Sequence, residues 1–248
     1  MKTVRWKPLR HPVLALTITL AVSVSAQAQT RKTNNTSLQL GDRVVVIPAP
    51  DGFEEAASQF EDVKARFTVT EDPGNDLLAV HLLATDCERL RRGESGPFNF
   101  YTKISVRKTA RERDFSPSEF AAIPAEFRKS GAAILDVNGP TMKATLEHLE
   151  KGVSELTQNT AKVEMSQPEN LGEFDNRPNV YSVMLLLTYK VQSGLSQRVT
   201  PVLGGLSFVR VKQRLLYVYT YRKYESKADV EILRDFTKQW INMILAAN

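Results

Sequence analysis

Cysteine is nearly absent. Cys87 stands alone in 248 residues, so no internal disulfide can staple the fold and a packed core must hold it together. Histidine is scarce as well: of three in the chain, only His81 and His148 lie beyond the first 28 residues. No C-x-x-C or H-x-x-x-H pair occurs, so the close ligand pairs that usually build a zinc site are missing, and neither a metal nor a cofactor is expected. The G-x-S-x-G elbow, the H-E-x-x-H helix, the P-loop and the G-x-G-x-x-G turn are also missing, which removes the common hydrolase, metalloprotease and nucleotide signatures. "GESG" at 93–96 and "LGG" at 203–205 read as turn glycines without a phosphate cradle's flanking strand and helix.

Long apolar runs are limited to one, Val13–Val24, well short of the roughly 20 residues that span a bilayer. It follows Lys2, Arg5, Lys7 and Arg10 and precedes Ser25-Ala26-Gln27-Ala28. That order of basic, apolar and small residues is a secretory signal with cleavage after Ala28. Residues 1–28 are therefore expected to be removed, giving an exported protein, periplasmic or secreted, with at most peripheral membrane contact. Four of the 33 basic residues and none of the 28 acids precede residue 29, which lowers the formal charge from +5 for the whole chain to +1 for the mature one. A near-neutral protein offers no overall field for nucleic acid.

Residues 29–41 include the polar run "TRKTNNTS" and read as a disordered leader, with one α+β domain over 42–248. "DRVVVIPAP" predicts a strand. Asp51 with Glu54 predicts a capping box that opens a helix carrying Phe53, Ala57, Phe60 and Phe67. "EDPGND" predicts a turn, "LLAVHLLA" a strand, and Thr85 with Glu88 a short capped helix ending at Gly93. "FNFYTKISVRK" is strand-like. Ser116, Pro117 and Glu119 open another helix, with Pro124 expected to kink or split it and Gly131 to end it. Met142, Leu146, Leu149, Val153 and Leu156 then form a clean helical stripe. Runs at 180–191, 196–211 and 214–224 predict an antiparallel meander, followed by a last helix capped by Ser226 and Asp229.

"QRLLYVYTYRKYES", 213–226, holds four of the seven tyrosines. Alternation puts Tyr217, Tyr219 and Tyr221 on one face of a strand and Leu216, Val218 and Thr220 on the other. Both faces are apolar, as is the neighbouring "VMLLL", and strands apolar on both faces are covered on both. The fold class that follows is α+β: an antiparallel β-sheet with helices on both faces, an α/β/α sandwich. The tyrosines then pack beneath a helix, each hydroxyl at the rim or hydrogen-bonded. The competing reading is a platform on which a ligand or partner stacks.

The opening "VVVIPAPDGF" and the ending "LLYVYTYRKY" followed by "SKADVEILRDFTKQWINMIL" resemble the two ends of PsbP-like and DcrB-like exported proteins. The resemblance implies an α/β/α sandwich and a binding or assembly-stabilising role, and carries over no functional residue.

Three site readings follow. Arg89, Arg91, Arg92, Lys103, Arg107, Lys108, Arg111 and Arg113 make 89–113 basic. They are candidate contacts for an envelope protein or acidic surface, or else charges that guard a strand edge. A small apolar ligand would instead lie between the sheet and the 142–158 helix, touching Tyr217, Tyr219, Tyr221, Met142, Leu146 and Leu149. The third reading is an enzyme using Cys87: in the first turn of its predicted helix the dipole could activate the thiol beside His81, against the plainer reading of a small buried residue. A non-enzymatic binding protein leads. Its oligomeric state is open.

Overall fold

The computed structural model describes residues 35–94, 96–157, 160–193 and 196–248. Among the described residues, ten strands and five α-helices alternate unevenly. The first half runs β1 (Asn35–Leu40), β2 (Arg43–Pro48), β3 (Phe53–Glu55), α1 (Glu61–Val69), β4 (Asn75–Leu83), α2 (Ala84–Arg91), β5 (Phe100–Arg107) and α3 (Pro117–Ile134). The second half runs α4 (Pro140–Thr157), β6 (Ala161–Met165), β7 (Glu169–Arg177), β8 (Val180–Ser193), β9 (Ser196–Val211), β10 (Arg214–Lys223) and α5 (Ala228–Ala246).

Eight strands form one sheet in the order β3-β4-β5-β10-β9-β8-β6, and β7 continues the β6 edge along β8. Every pairing is antiparallel. The expected meander of the last third is its centre, with β10 paired to β9 on one side and β5 on the other. The chain is thus α+β, with its antiparallel sheet covered on both faces.

Register fixes what each face carries, because directly opposed residues share a face. Tyr217, Tyr219 and Tyr221 oppose Ser105, Lys103 and Tyr101 on β5 and Phe208, Leu206 and Gly204 on β9. Tyr181, Val183, Leu185, Leu187 and Tyr189 extend that face across β8. α1 and α2 cover its β4 end, where Val63, Phe67 and Cys87 pack with Val80 and Leu82. α3 covers the other end through Phe120, Ile123 and Phe127 over Tyr181 and Val183. On the opposite face α5 lays Trp240, Ile241 and Ile244 on Ile104, Val209, Leu216 and Val218, together with Leu38, Leu40, Val45 and Ile47 of the β1–β2 hairpin. One face is therefore covered by α1, α2 and α3, the other by α5 and a separate two-stranded hairpin.

Several local expectations are corrected. Residues 35–41 are not a disordered leader: Asn35–Leu40 is already a strand, ahead of Asp42, because β1 pairs with β2 and buries Leu38 and Leu40. Phe53–Glu55 is a strand: Phe53 opposes Leu83, so cross-strand pairing overrides the capping-box pattern, and the helix starts only at Glu61. α2 has no side-chain cap from Thr85, although Gly93 does follow its end at a left-handed φ of 75°. The Ser116 capping box forms as expected, but α3 runs through Pro124 and Gly131 to Ile134. Asp229, inside the first turn of α5, accepts from the backbone N–H of Glu225 and Ser226 and from Arg222.

Candidate functional site

The eight basic residues proposed as a contact surface do not converge. Arg89, Arg91 and Arg92 lie on α2 or just beyond it, before β5; Arg107, Lys108, Arg111 and Arg113 lie at or past the far end of β5. Eight strand residues place the two groups roughly 25 Å apart. Seven of the eight meet a carboxylate: Arg89 meets Asp86, Arg91 Glu54, Arg92 Glu94, Lys103 Glu71, Arg107 Asp72, Arg111 Asp76 and Arg113 Glu119. Lys108 donates to the carbonyl of Pro73. A basic run in sequence becomes a series of closed ion pairs in space.

The reactive-thiol reading loses its basis. Cys87 does stand in the first turn of α2, as its fourth residue, but it is fully buried. Burial, then the nearby Glu54 carboxylate, pushes its thiol up to about 12, whereas a nucleophilic cysteine needs the opposite shift. Its intended base stands elsewhere: His81 packs its ring 5.4 Å from that of Trp240, on the α5 face of the sheet. Among the described residues no cluster of three or more His, Cys, Asp or Glu is placed to hold a metal.

The tyrosine face brings more together than expected. Six of the seven tyrosines in the chain stand on it, because β5 adds Tyr101 and β8 adds Tyr181 and Tyr189. Their rings form a connected run. Tyr101 stacks on Tyr221 at 4.9 Å, Tyr221 on Tyr219 at 6.2 Å, and Tyr217 meets Tyr219 at 6.5 Å and Phe208 at 5.4 Å. Lys103 Nζ sits 4.8 Å from the centre of the Tyr219 ring.

These hydroxyls are not satisfied by the fold. The Tyr181 hydroxyl donates to Glu173 at 3.0 Å, but those of Tyr101, Tyr189, Tyr217, Tyr219 and Tyr221 make no hydrogen bond among the described residues. Nor are they sealed. The polar side-chain atoms that are both sealed and unpartnered among those residues are Arg43 Nε, Asn75 Oδ1, His81 Nε2 and Arg234 Nε. The five rings are half-buried, while burial raises every one of their phenol pKa values, to about 12 at Tyr189 and well above the ordinary value at Tyr221. The hydroxyls sit deep in the protein yet open onto space.

α4 supplies the opposite wall. At about 100° per residue, Met142, Leu146, Leu149 and Val153 form one stripe. On one flank lies Gly152, where an added Cβ would come within 2.9 Å of Val69 on α1. On the other, Glu150 and Ser154 bond the backbone of Val163 and Ala161 on β6. α4 therefore bridges α1 and β6, and the stripe between those contacts points inward, towards the tyrosine face. Met142, Leu146 and Leu149 are half-buried, as are the tyrosines, while the far side of the helix, Ala144, Glu147, Lys151 and Glu155, is exposed.

At one end of this cleft is a buried ion pair. Lys103 donates to Glu71 at 2.7 Å; Ser105 and Asn75 donate to the same carboxylate at 2.8 and 3.1 Å. Burial pushes Glu71 up, but Lys103, Asn75 and Ser105 together hold it below the ordinary carboxylate value. Beside it opens a cavity of about 460 Å³ lined by Glu71, Asp72, Leu77, Lys108, Arg111 and, from α4, His148. A second, smaller cavity of about 300 Å³ lies between α3 and β7, lined by Phe127, Leu135, Pro168 and the Arg128–Glu173 pair.

No protein-family model matches the chain, and no curated protein matches it. Two solved structures align over most of its length with low similarity. A mutant of the protein Mog1 covers 86% of this chain and 94% of its own at 13% identity and a TM-score of 0.35. The Saccharomyces cerevisiae Ran-binding protein Mog1p covers 87% and 94% at 13% identity and a TM-score of 0.31. Scores this low leave the site to be argued from its own geometry.

Proposed function

We propose that this is an exported, non-enzymatic binding protein that holds a small molecule between its tyrosine face and α4. One observation carries the reading: five tyrosine hydroxyls on one face are deep, unpartnered among the described residues, and open to space. Because these hydroxyls are open to space, each keeps a donor and acceptor capacity that an entering molecule can use. The half-buried stripe of α4 supports the same reading, since two faces packed into one another would bury both. Concave, mostly apolar sites with a few convergent polar groups are the usual form of small-molecule pockets.

The reading of the basic run as a surface for an envelope protein or acidic partner has less support, because its charges are already closed on nearby acids. Export rests on residues 1–28, which lie outside the described residues.

A fluorescence titration with the neutral apolar probe N-phenyl-1-naphthylamine tests the pocket. Saturable one-to-one binding is expected, abolished by Leu146→Trp, which fills the cleft, without a lower melting temperature. Weak, non-saturating binding, or binding unchanged in the filled variant, would remove the pocket.

A further inference from the structure

The two walls of the cleft differ in kind. One is a row of phenol hydroxyls at the tips of Tyr101, Tyr189, Tyr217, Tyr219 and Tyr221; the other is the aliphatic stripe Met142, Leu146, Leu149 and Val153. Side chains stand roughly perpendicular to a sheet, so the hydroxyls are presented towards the stripe and the aromatic rings beneath them are occupied with one another. A ligand here meets oxygen on one side and hydrocarbon on the other.

The charges near the cleft are already used. Glu71 accepts from three donors, and Lys103 is held between Glu71 and the Tyr219 ring. At the adjoining mouth Asp72 meets Arg107 and Asp76 meets Arg111. Each of these charges already has its counter-charge among the described residues, and burying an unpaired one would be costly. Each neutral phenol offers one donor and accepts in return, which suits hydroxyl or carbonyl oxygens.

Resting on the pocket reading above, we infer that the ligand is a rigid facial amphiphile: a neutral, elongated ring system with oxygens along one face and hydrocarbon on the other. A fully apolar molecule would leave the hydroxyl row unpartnered. A fully polar one would waste the stripe. Any charged tail would lie out at the mouth, near Lys108 and His148.

Two steroid acids separate these possibilities. Cholate carries three hydroxyls on one face of its ring system; lithocholate carries one and is more hydrophobic. Calorimetric titration of the full mature chain is expected to favour cholate, against the order of hydrophobicity. Tyr219→Phe with Tyr221→Phe should weaken cholate about tenfold and N-phenyl-1-naphthylamine by clearly less. If lithocholate binds more tightly and the double variant changes nothing, the facial inference fails while the pocket stands. If neither acid nor the naphthylamine binds, both fail. A double variant that loses the naphthylamine as well has lost the pocket's shape; Tyr221→Phe alone, with the naphthylamine retained, then decides.

Discussion

Trp240 Nε1 donates to the carbonyl of Pro48 at 2.8 Å, joining residues 192 positions apart. The bond fastens α5 to β2 and seats the indole among Ile47, Ile104 and Val106.

Trp240→Phe should therefore cost more than its change in volume. The Pro48 carbonyl is left buried without its donor, a penalty of about 1–3 kcal/mol. Guanidinium unfolding should show a lower midpoint at unchanged slope. A variant within about 0.5 kcal/mol of the parent would mean that water or a shifted backbone restores the bond.

His81 makes stability depend on pH in a defined window. It is fully buried, its Nδ1 faces the Thr102 hydroxyl at 3.3 Å and its Nε2 has no partner among the described residues. Burial lowers its pKa from 6.5 to about 3. Above pH 6.5 both folded and unfolded chains carry it neutral and no penalty arises. As the pH falls below 6.5 the unfolded chain takes a proton that the folded chain refuses until about 3, so stability drops by about 1.4 kcal/mol per unit, or about 2 kcal/mol at pH 5. His81→Gln should flatten that slope in denaturant titrations at pH 7 and pH 5, whatever it does to the absolute value.

Gly152 sets propensity against packing. Alanine gains about 1 kcal/mol over glycine inside a helix, yet its Cβ would stand 2.7 Å from the Val69 carbonyl oxygen and 2.9 Å from Val69 Cβ. Neither atom belongs to a flexible side-chain end, and overpacking costs about 1–3 kcal/mol. Gly152→Ala is expected to lower the melting temperature by a few degrees and, by pushing α4 from α1, to weaken probe binding. A higher melting temperature would show that the helix moves away freely.

Cys87 should behave as a core residue. Iodoacetamide labelling of the native protein is expected to be slow and governed by unfolding, becoming rapid in denaturant. Fast native labelling that rises with pH from 6 to 8 would revive the thiol as a reactive group.

The sheet was legible where burial on both faces left long apolar runs, as in 180–191 and 214–224. It was illegible at its margins. β6 and β7 form an edge, and "ENLGEFDNR" with its register shifts carries little apolar signal. β1 shows only Leu38 and Leu40 on its buried side. Phe53, Ala57 and Phe60 fit a helical template by spacing, but pairing with Leu83 decided otherwise. The ladder Tyr217–Tyr221 could be read from alternation. The contributions of Tyr101 and Tyr189 could not, since they depend on strand register, which no local pattern encodes. The basic run was legible as charge but not as pairs, because Asp72, Asp76, Glu54 and Glu119 reach it through the fold.

Arg214, at the start of β10, is 2% exposed; its guanidinium reaches the Leu40 carbonyl and the Asp42 and Asp114 carboxylates. It thereby ties the β1–β2 turn to a strand more than 170 residues later, and the other side of that hairpin waits for α5. This hairpin, made early in synthesis, is among the last to find its partners. Such long-range closure slows folding and leaves Leu38, Val45 and Ile47 uncovered in the nascent chain, an interval during which a chaperone can hold it extended.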